Sequence, residues 1–327
     1  MKKFFTNQFF ILLSKSSILV GGQAVIEGVM MRVPGYIATA VRNPEGEIIT
    51  KRQEFKTLIL RHKWLNIPIV RGAISLFEAM KIGFGTLQWS ADISFPEEKN
   101  KQTKFTPIIE WIMTLVSIVF ALSLFIFLPL GITSWVTESD QYPLFYNMVA
   151  GGVRISIFLL YLFLISRTKD AKRLFQYHGA EHKVVYTFEH GDDLIVHNAT
   201  KYPTQHPRCG TSFMFIIMLV AIFTFMLIDT IFIQLFGKIT LVQRILMHIL
   251  FIPLVSGIGY EILKFSSKHQ NNIILKYLIK PGLWLQNITT NPPDDQQLEV
   301  SIEALKSAFG DSLDQYAGKE HVADAIG

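Results

Sequence analysis

Two short runs carry the residue types that could do chemistry. The first is His178-Gly179-Ala180-Glu181-His182, and the second is His206-Pro207-Arg208-Cys209-Gly210, which holds the chain's single cysteine. His178 and His182 are four apart, so on a helix their side chains stack on one face. That is the arrangement two imidazoles need to grip one Zn²⁺ at about 2.0–2.1 Å. Glu181 lies beside His182 as in the inverted zinc-peptidase motif H-x-x-E-H, where the glutamate is a general base on a water activated by the metal. A third ligand must come from elsewhere, and His206, Cys209 and Glu261 are the candidates in that order. Arg208 offers a fork of N–H donors for a developing oxyanion or a phosphate.

A five-residue motif with three fixed positions recurs by chance. The plain alternative is a helix with two exposed histidines. A second ligand-rich run within the same stretch, at the edge of a membrane, favours a divalent metal, with zinc the first expectation. His190 and His197 read as solvated loop residues. Cys209 suits a structural role as well as a ligand, since a free cysteine is often a small buried hydrophobe. Gly179 costs the helix about 1 kcal/mol relative to alanine and counts against rigidity.

The elements that must position these groups follow from hydropathy. Half the residues are hydrophobic and 17% are charged, below the roughly 25% of an ordinary soluble domain. One cysteine excludes an internal disulfide. Ile108–Ile132, Asn147–Ile165, Ser212–Phe236 and Ile245–Leu263 are apolar runs long enough to cross about 30 Å. The connection 133–146 has no Lys or Arg, whereas 166–211 has seven and the residues before the first span are rich in them. The positive-inside rule therefore puts both termini and the histidine-rich loop 166–211 in the cytoplasm of a multi-pass protein of the inner (plasma) membrane. Charges at depth face the bundle interior and pair, so Arg154 and Asp229 are expected to compensate each other, while Glu110 and Glu261 fall near cytoplasmic helix ends.

Within the loop, Asp170–Glu189 reads as a helix capped by Asp170 and ending near Gly191. Upstream, Gly21–Arg32 is a glycine-bearing apolar stretch without phosphate-loop or dinucleotide spacing. Its lone acid, Glu27, is either a turn residue or a member of the site. Ile37–Arg42 and Glu47–Gln53 form a β-hairpin around Asn43-Pro44-Glu45-Gly46. Ile69–Ile93 is an apolar helix or helix pair lying against the membrane. Asn271–Leu285 suits the membrane surface, and Leu298, Ile302, Leu305 and Phe309 fall on one helical face. The expected fold is a mainly α membrane protein with about four transmembrane helices and a cytoplasmic α+β portion with a β-hairpin. Its parts are an N-terminal α+β region 1–105, a membrane domain 106–265, and a cytoplasmic surface-binding and amphipathic segment 266–327.

Four separated blocks resemble one family: GGQAVIEGVMMR (21–32), YHGAEHK (177–183), HPRCGTSF (206–213) and PGLWLQNITTNPPDDQQLEV (281–300). They are similar to the YqhQ-like bacterial membrane proteins, a domain of unknown function labelled a predicted metal-dependent enzyme. The resemblance runs from about residue 20 to 305. It implies an integral membrane protein and a metal at His178, Glu181, His182 and His206.

The function expected is a metal-dependent hydrolase at the cytoplasmic membrane face. Its partners would be the lipid bilayer and a lipid head group or membrane peptide as substrate. With a net charge of only +5, no nucleic-acid partner is expected. The second expectation is a non-catalytic membrane scaffold or assembly factor, with the histidine loop and Gly21–Arg32 as docking surface. A transporter is weaker, because internal repeats and broken helix pairs are absent from the pattern.

Overall fold

A computed structural model describes residues 20–96, 106–136, 143–207, 209–268 and 273–318. Glycine-bearing residues 21–33 form a hairpin of their own, β1 (Gly21–Val25) and β2 (Gly28–Val33). Its tight turn puts Glu27 at φ 51, a region few non-glycine residues adopt. The expected second hairpin follows, β3 (Tyr36–Arg42) and β4 (Ile48–Glu54). At its turn the Asn43 side chain accepts the Glu47 N–H and Gly46 supplies the positive φ. The four strands are an antiparallel meander in sequence order.

Both faces of this sheet are covered, which is why its inner strands are apolar at nearly every position. Val29, Met31, Val33, Ala38 and Ala40 face a core shared with helix α5 (Lys169–His190) and helix α10 (Asp295–Phe309). Val25, Met30, Ile37 and Val41 face Ile82, Leu87, Trp89 and Ile93 of helix α1 (Val70–Ser94). The alternation is the period-2 exchange of faces along a strand. Helix α10 buries Leu298, Ile302, Leu305 and Phe309, the face expected from their spacing, under a capping box on Asp294. Three stretches far apart in the chain thus build one three-layer unit.

The remaining helices are apolar. Helix α2 (Thr106–Leu122), a π-helical turn (Ser123–Phe127) and helix α3 (Leu128–Val136) run on as one rod. Helix α4 (Pro143–Ile165) and helix α6 (Gly210–Phe236) pack together. Three segments, Trp111–Val136, Leu144–Ile165 and Met214–Phe236, are long and apolar enough to cross a membrane. The fourth differs from the straight span expected: helix α7 (Leu241–Leu250) and helix α8 (Ile252–Lys268) meet at a bend of 48°. Pro253 explains the break, because it lacks the N–H that would continue the ladder. Helix α9 (Ile273–Thr289) packs along α6.

The expected pairing of Arg154 with Asp229 is not what forms. Arg154 Nε donates to Phe125 O at 3.1 Å, inside the π-helical turn where regular i→i+4 bonding is displaced. Asp229 instead meets Arg244 at 2.9 Å and His248 at 3.2 Å. Helix α7 is inverted: Arg244 and His248 are buried, while Val242, Leu246 and Leu250 are exposed. A helix whose polar side faces the protein and whose apolar side faces out is what a hydrocarbon solvent selects.

Candidate metal centre

Helix α5 is capped two residues earlier than expected. The Thr168 hydroxyl accepts Ala171 N–H, and Asp170 lies within the first turn, where the helix dipole favours an acid. The helix ends as expected at Gly191, φ +74. Gly179 is not a weak point. A Cβ there would stand 2.1 Å from Asn291 O, and Asn291 N–H donates to Phe175 O at 2.9 Å. Glycine lets the strap after α9 cross α5 at van der Waals contact.

Across that crossing, α5 presents His178 and His182 to the start of α6. His178 Nδ1 lies 2.8 Å from Thr289 O, and His182 Nδ1 lies 2.5 Å from Thr204 O. A carbonyl only accepts, so both rings carry their proton on Nδ1 and leave the Nε2 lone pair open. This is how second-shell acceptors fix a histidine for a metal. His178 Nε2 is 3.1 Å from Cys209 Sγ. The donor atoms of His178, His182 and Cys209 all lie within 4.8 Å of one another. Tetrahedral zinc donors at their usual bond lengths are about 3.5 Å apart, so the set fits with a small contraction. Cys209 caps α6, and Thr211 turns its N–H (3.4 Å) and hydroxyl (3.1 Å) towards the sulfur.

Burial decides the protonation states around this triad. Burial lowers the pKa of His182, with Cys209 opposing, which keeps the imidazole neutral as a ligand must be. Burial pushes His206 down to about 4. Burial pushes Glu181 up, opposed by His178, His206 and the Gly22 amide. Glu181 Oε2 is 3.5 Å from His182 Nε2, beside the triad without being one of its donors. Gly22 makes room for it: a Cβ there would be 2.5 Å from Glu181 Cγ. His206 packs its ring 5.6 Å from that of His182, with Nε2 3.6 Å from Glu189 Oε2.

Residues 67–311 match a family described as a protein of unknown function (DUF1385). The chain belongs to this family. The "Uncharacterized protein YqhQ" of Bacillus subtilis (strain 168) is 30% identical over 299 residues, which is 87% of this chain and 90% of that protein. No solved structure matches the chain.

In this DUF1385 protein the four sequence blocks meet around one place. The last of them supplies parts that residue chemistry alone does not flag. Gln286 accepts His206 N–H at 2.7 Å and donates to His206 O at 2.8 Å, while Thr289 and Asn291 orient His178 and admit Gly179. Glu189, two turns beyond Glu181, is a second residue without a motif signal. The other candidates lie elsewhere. Glu27 is held by both sides of the Arg173 guanidinium and by the Tyr177 hydroxyl at 3.2 Å, which locks the β1–β2 turn onto α5. Glu261 takes a bidentate bond from Arg71 at 2.6 and 2.5 Å. Arg208 lies outside the described residues.

Proposed function

We propose that this protein is a metal-dependent hydrolase working at the cytoplasmic face of the plasma membrane. His178, His182 and Cys209 would hold one divalent metal, and Glu181 would act as general base. The observation that carries this reading is the pair of Nδ1–H bonds to Thr289 O and Thr204 O, which aim both Nε2 atoms and the Cys209 sulfur at one point. Nitrogen and thiolate donors in this ratio suit zinc.

Three protein donors among the described residues would leave a fourth position open, the mark of a catalytic site; a structural site closes with four. When bound, the metal supplies Lewis acidity and an acidified water. Glu181 stands next to His182 Nε2, and its raised pKa places it nearer the working range of a proton-transferring group. His206 stays neutral and buried behind it, backed by Glu189. Cys209 lies five residues before Met214, where a span begins, and this favours a substrate presented at the bilayer edge, a lipid head group or a membrane peptide.

Cobalt substitution tests the reading. Sulfur-to-cobalt charge transfer should appear in wild type and vanish in Cys209→Ser. Added azide should shift the ligand-field bands if one position is open. Bands that ignore azide would indicate a closed, structural site and favour the scaffold.

A further inference from the structure

Helix α1 starts at the depth of a membrane helix. A Cβ on Gly72 would meet Tyr260 Cβ at 2.7 Å and Gly257 Cα at 2.8 Å, and one on Gly257 would meet Ile69 Cα at 2.7 Å. Arg71 grips Glu261 one turn further on. These contacts tie residues 69–72 to α8 within the bent pair that is apolar enough to cross. Gly257 is roughly 8 Å inside the Ile262 end of that span at 1.5 Å per residue. From there α1 runs out to the sheet, which it meets through Ile82, Leu87, Trp89 and Ile93.

The chain descends to this depth from Thr57. Glu78 accepts the Thr57 hydroxyl at 2.5 Å and Leu58 N–H at 2.7 Å, so Thr57 is level with Glu78. Glu78 is about 12 Å along α1 from Val70 at 1.5 Å per residue. Measured along α1, the intervening elbow therefore spans about 12 Å, within the roughly 15 Å of one hydrocarbon leaflet. Its exposed apolar side chains are Leu60 (66% exposed), Trp64 (71%) and Ile67 (55%), with Phe77 further along α1, and the polar Arg61, His62 and Asn66 are exposed beside them. Part of its backbone bonds locally: Leu60 and Arg61 N–H to Thr57 O, His62 N–H to Leu58 O, and Leu65 N–H to His62 O, with Arg71 N–H to Ile67 O just beyond it. Pro68 has no N–H to satisfy. Local bonds of this kind lower the cost of placing those groups in hydrocarbon.

We propose that residues 57–70 form a re-entrant elbow that inserts into the leaflet nearest the sheet, with that leaflet's lipids as its partner. Trp64 suits the acyl–headgroup boundary, and Arg61 suits anionic head groups. The elbow anchors the soluble layer, and with it the floor of the histidine site, directly against the bilayer. This inference rests on the membrane reading of the apolar helices and is independent of the metal.

The test uses full-length protein in vesicles of phosphatidylcholine and phosphatidylglycerol, labelled with an environment-sensitive fluorophore at Leu60→Cys or Trp64→Cys. Native Cys209 is buried. Phe223→Cys on α6 reports membrane integration, and Glu45→Cys in the β3–β4 turn reports the aqueous side. Lipids spin-labelled near the top of the acyl chain should quench both elbow positions as strongly as Phe223→Cys and several-fold more than Glu45→Cys. Quenching at Phe223→Cys alone, with aqueous iodide reaching the elbow, overturns the elbow and leaves the membrane reading standing. An elbow shielded from both quenchers overturns it in favour of a second copy of the chain. No lipid quenching anywhere overturns both readings.

Discussion

His178 Nε2 stands 3.1 Å from Cys209 Sγ, across 31 residues of sequence. The contact joins helix α5, packed on the sheet, to the residue that caps α6, a helix long and apolar enough to cross a membrane, so the candidate centre is also a joint between the two halves of the fold. Thr211, which directs two groups at the sulfur, should matter to the metal more than to folding. Thr211→Val is expected to weaken zinc affinity by about 10- to 100-fold, the usual cost of losing an outer-shell partner, as read by competition with a chromophoric chelator.

Two glycines near the centre should respond differently. In Gly179→Ala the new methyl meets a backbone oxygen at 2.1 Å, and neither helix α5 nor the Asn291 strap can yield. Overpacking of this kind costs at least about 1–3 kcal/mol, so thermal unfolding in detergent should shift clearly downward. In Gly22→Ala the methyl meets the Glu181 side chain, which can swing. The protein should fold and keep its metal while losing the function of Glu181. Equal Tm values for Gly179→Ala and wild type would refute the close crossing.

In the Glu27–Arg173 pair the arginine side chain is 50% exposed and the glutamate 24%, and ion pairs open to solvent contribute below about 1 kcal/mol. Glu27→Gln should cost little stability and leave metal content unchanged. Loss of metal in this variant would bring Glu27 into the site after all.

Buried charge at the other end of α6 predicts the opposite scale. Asp229→Asn leaves the buried Arg244 guanidinium without its counter-charge and removes the carboxylate facing His248, a change that costs about 3–5 kcal/mol. Replacing all three with apolar residues of similar volume should recover most of the loss. If the single variant and the triple variant unfold alike, the cluster is held by something other than Asp229.

Histidine 206 gives a pH signature. Its pKa falls from 6.5 to about 4 on folding, so the unfolded chain binds the extra proton between those values. Its contribution is therefore fully present above pH 6.5 and is lost as pH falls towards 4, about 3 kcal/mol in all. In metal-free protein, His206→Gln should flatten the stability curve over that window. An unchanged slope would show that His206 does not titrate there.

Much of this arrangement is readable from residue order, and the exceptions have physical reasons. The 3.6-residue spacing puts His178 and His182 together, and the Leu298–Phe309 face is found where its periodicity places it. The β1–β2 hairpin escapes notice because its turn is Ile26-Glu27, with no glycine or asparagine at the bend; Arg173 and Tyr177 hold Glu27 in the positive-φ region from 146 and 150 residues away. The ordering of His206 ahead of Cys209 as third ligand reflects residue type. In the fold, Cys209 N–H bonds back to His206 O, a turn that brings the cysteine to the helix cap, while Gln286 holds the histidine's backbone behind it. Arg154 and Asp229 show the same limit: a span pattern gives depth but not the π-helical carbonyl or the inverted helix α7 that answer them.

The measurement that bears most directly on the account is the metal content of detergent-purified protein, wild type beside His178→Ala and Glu181→Gln. The account predicts near one equivalent of zinc in wild type, loss in His178→Ala and retention in Glu181→Gln. Wild-type protein that stays metal-free after zinc or manganese is supplied would contradict it.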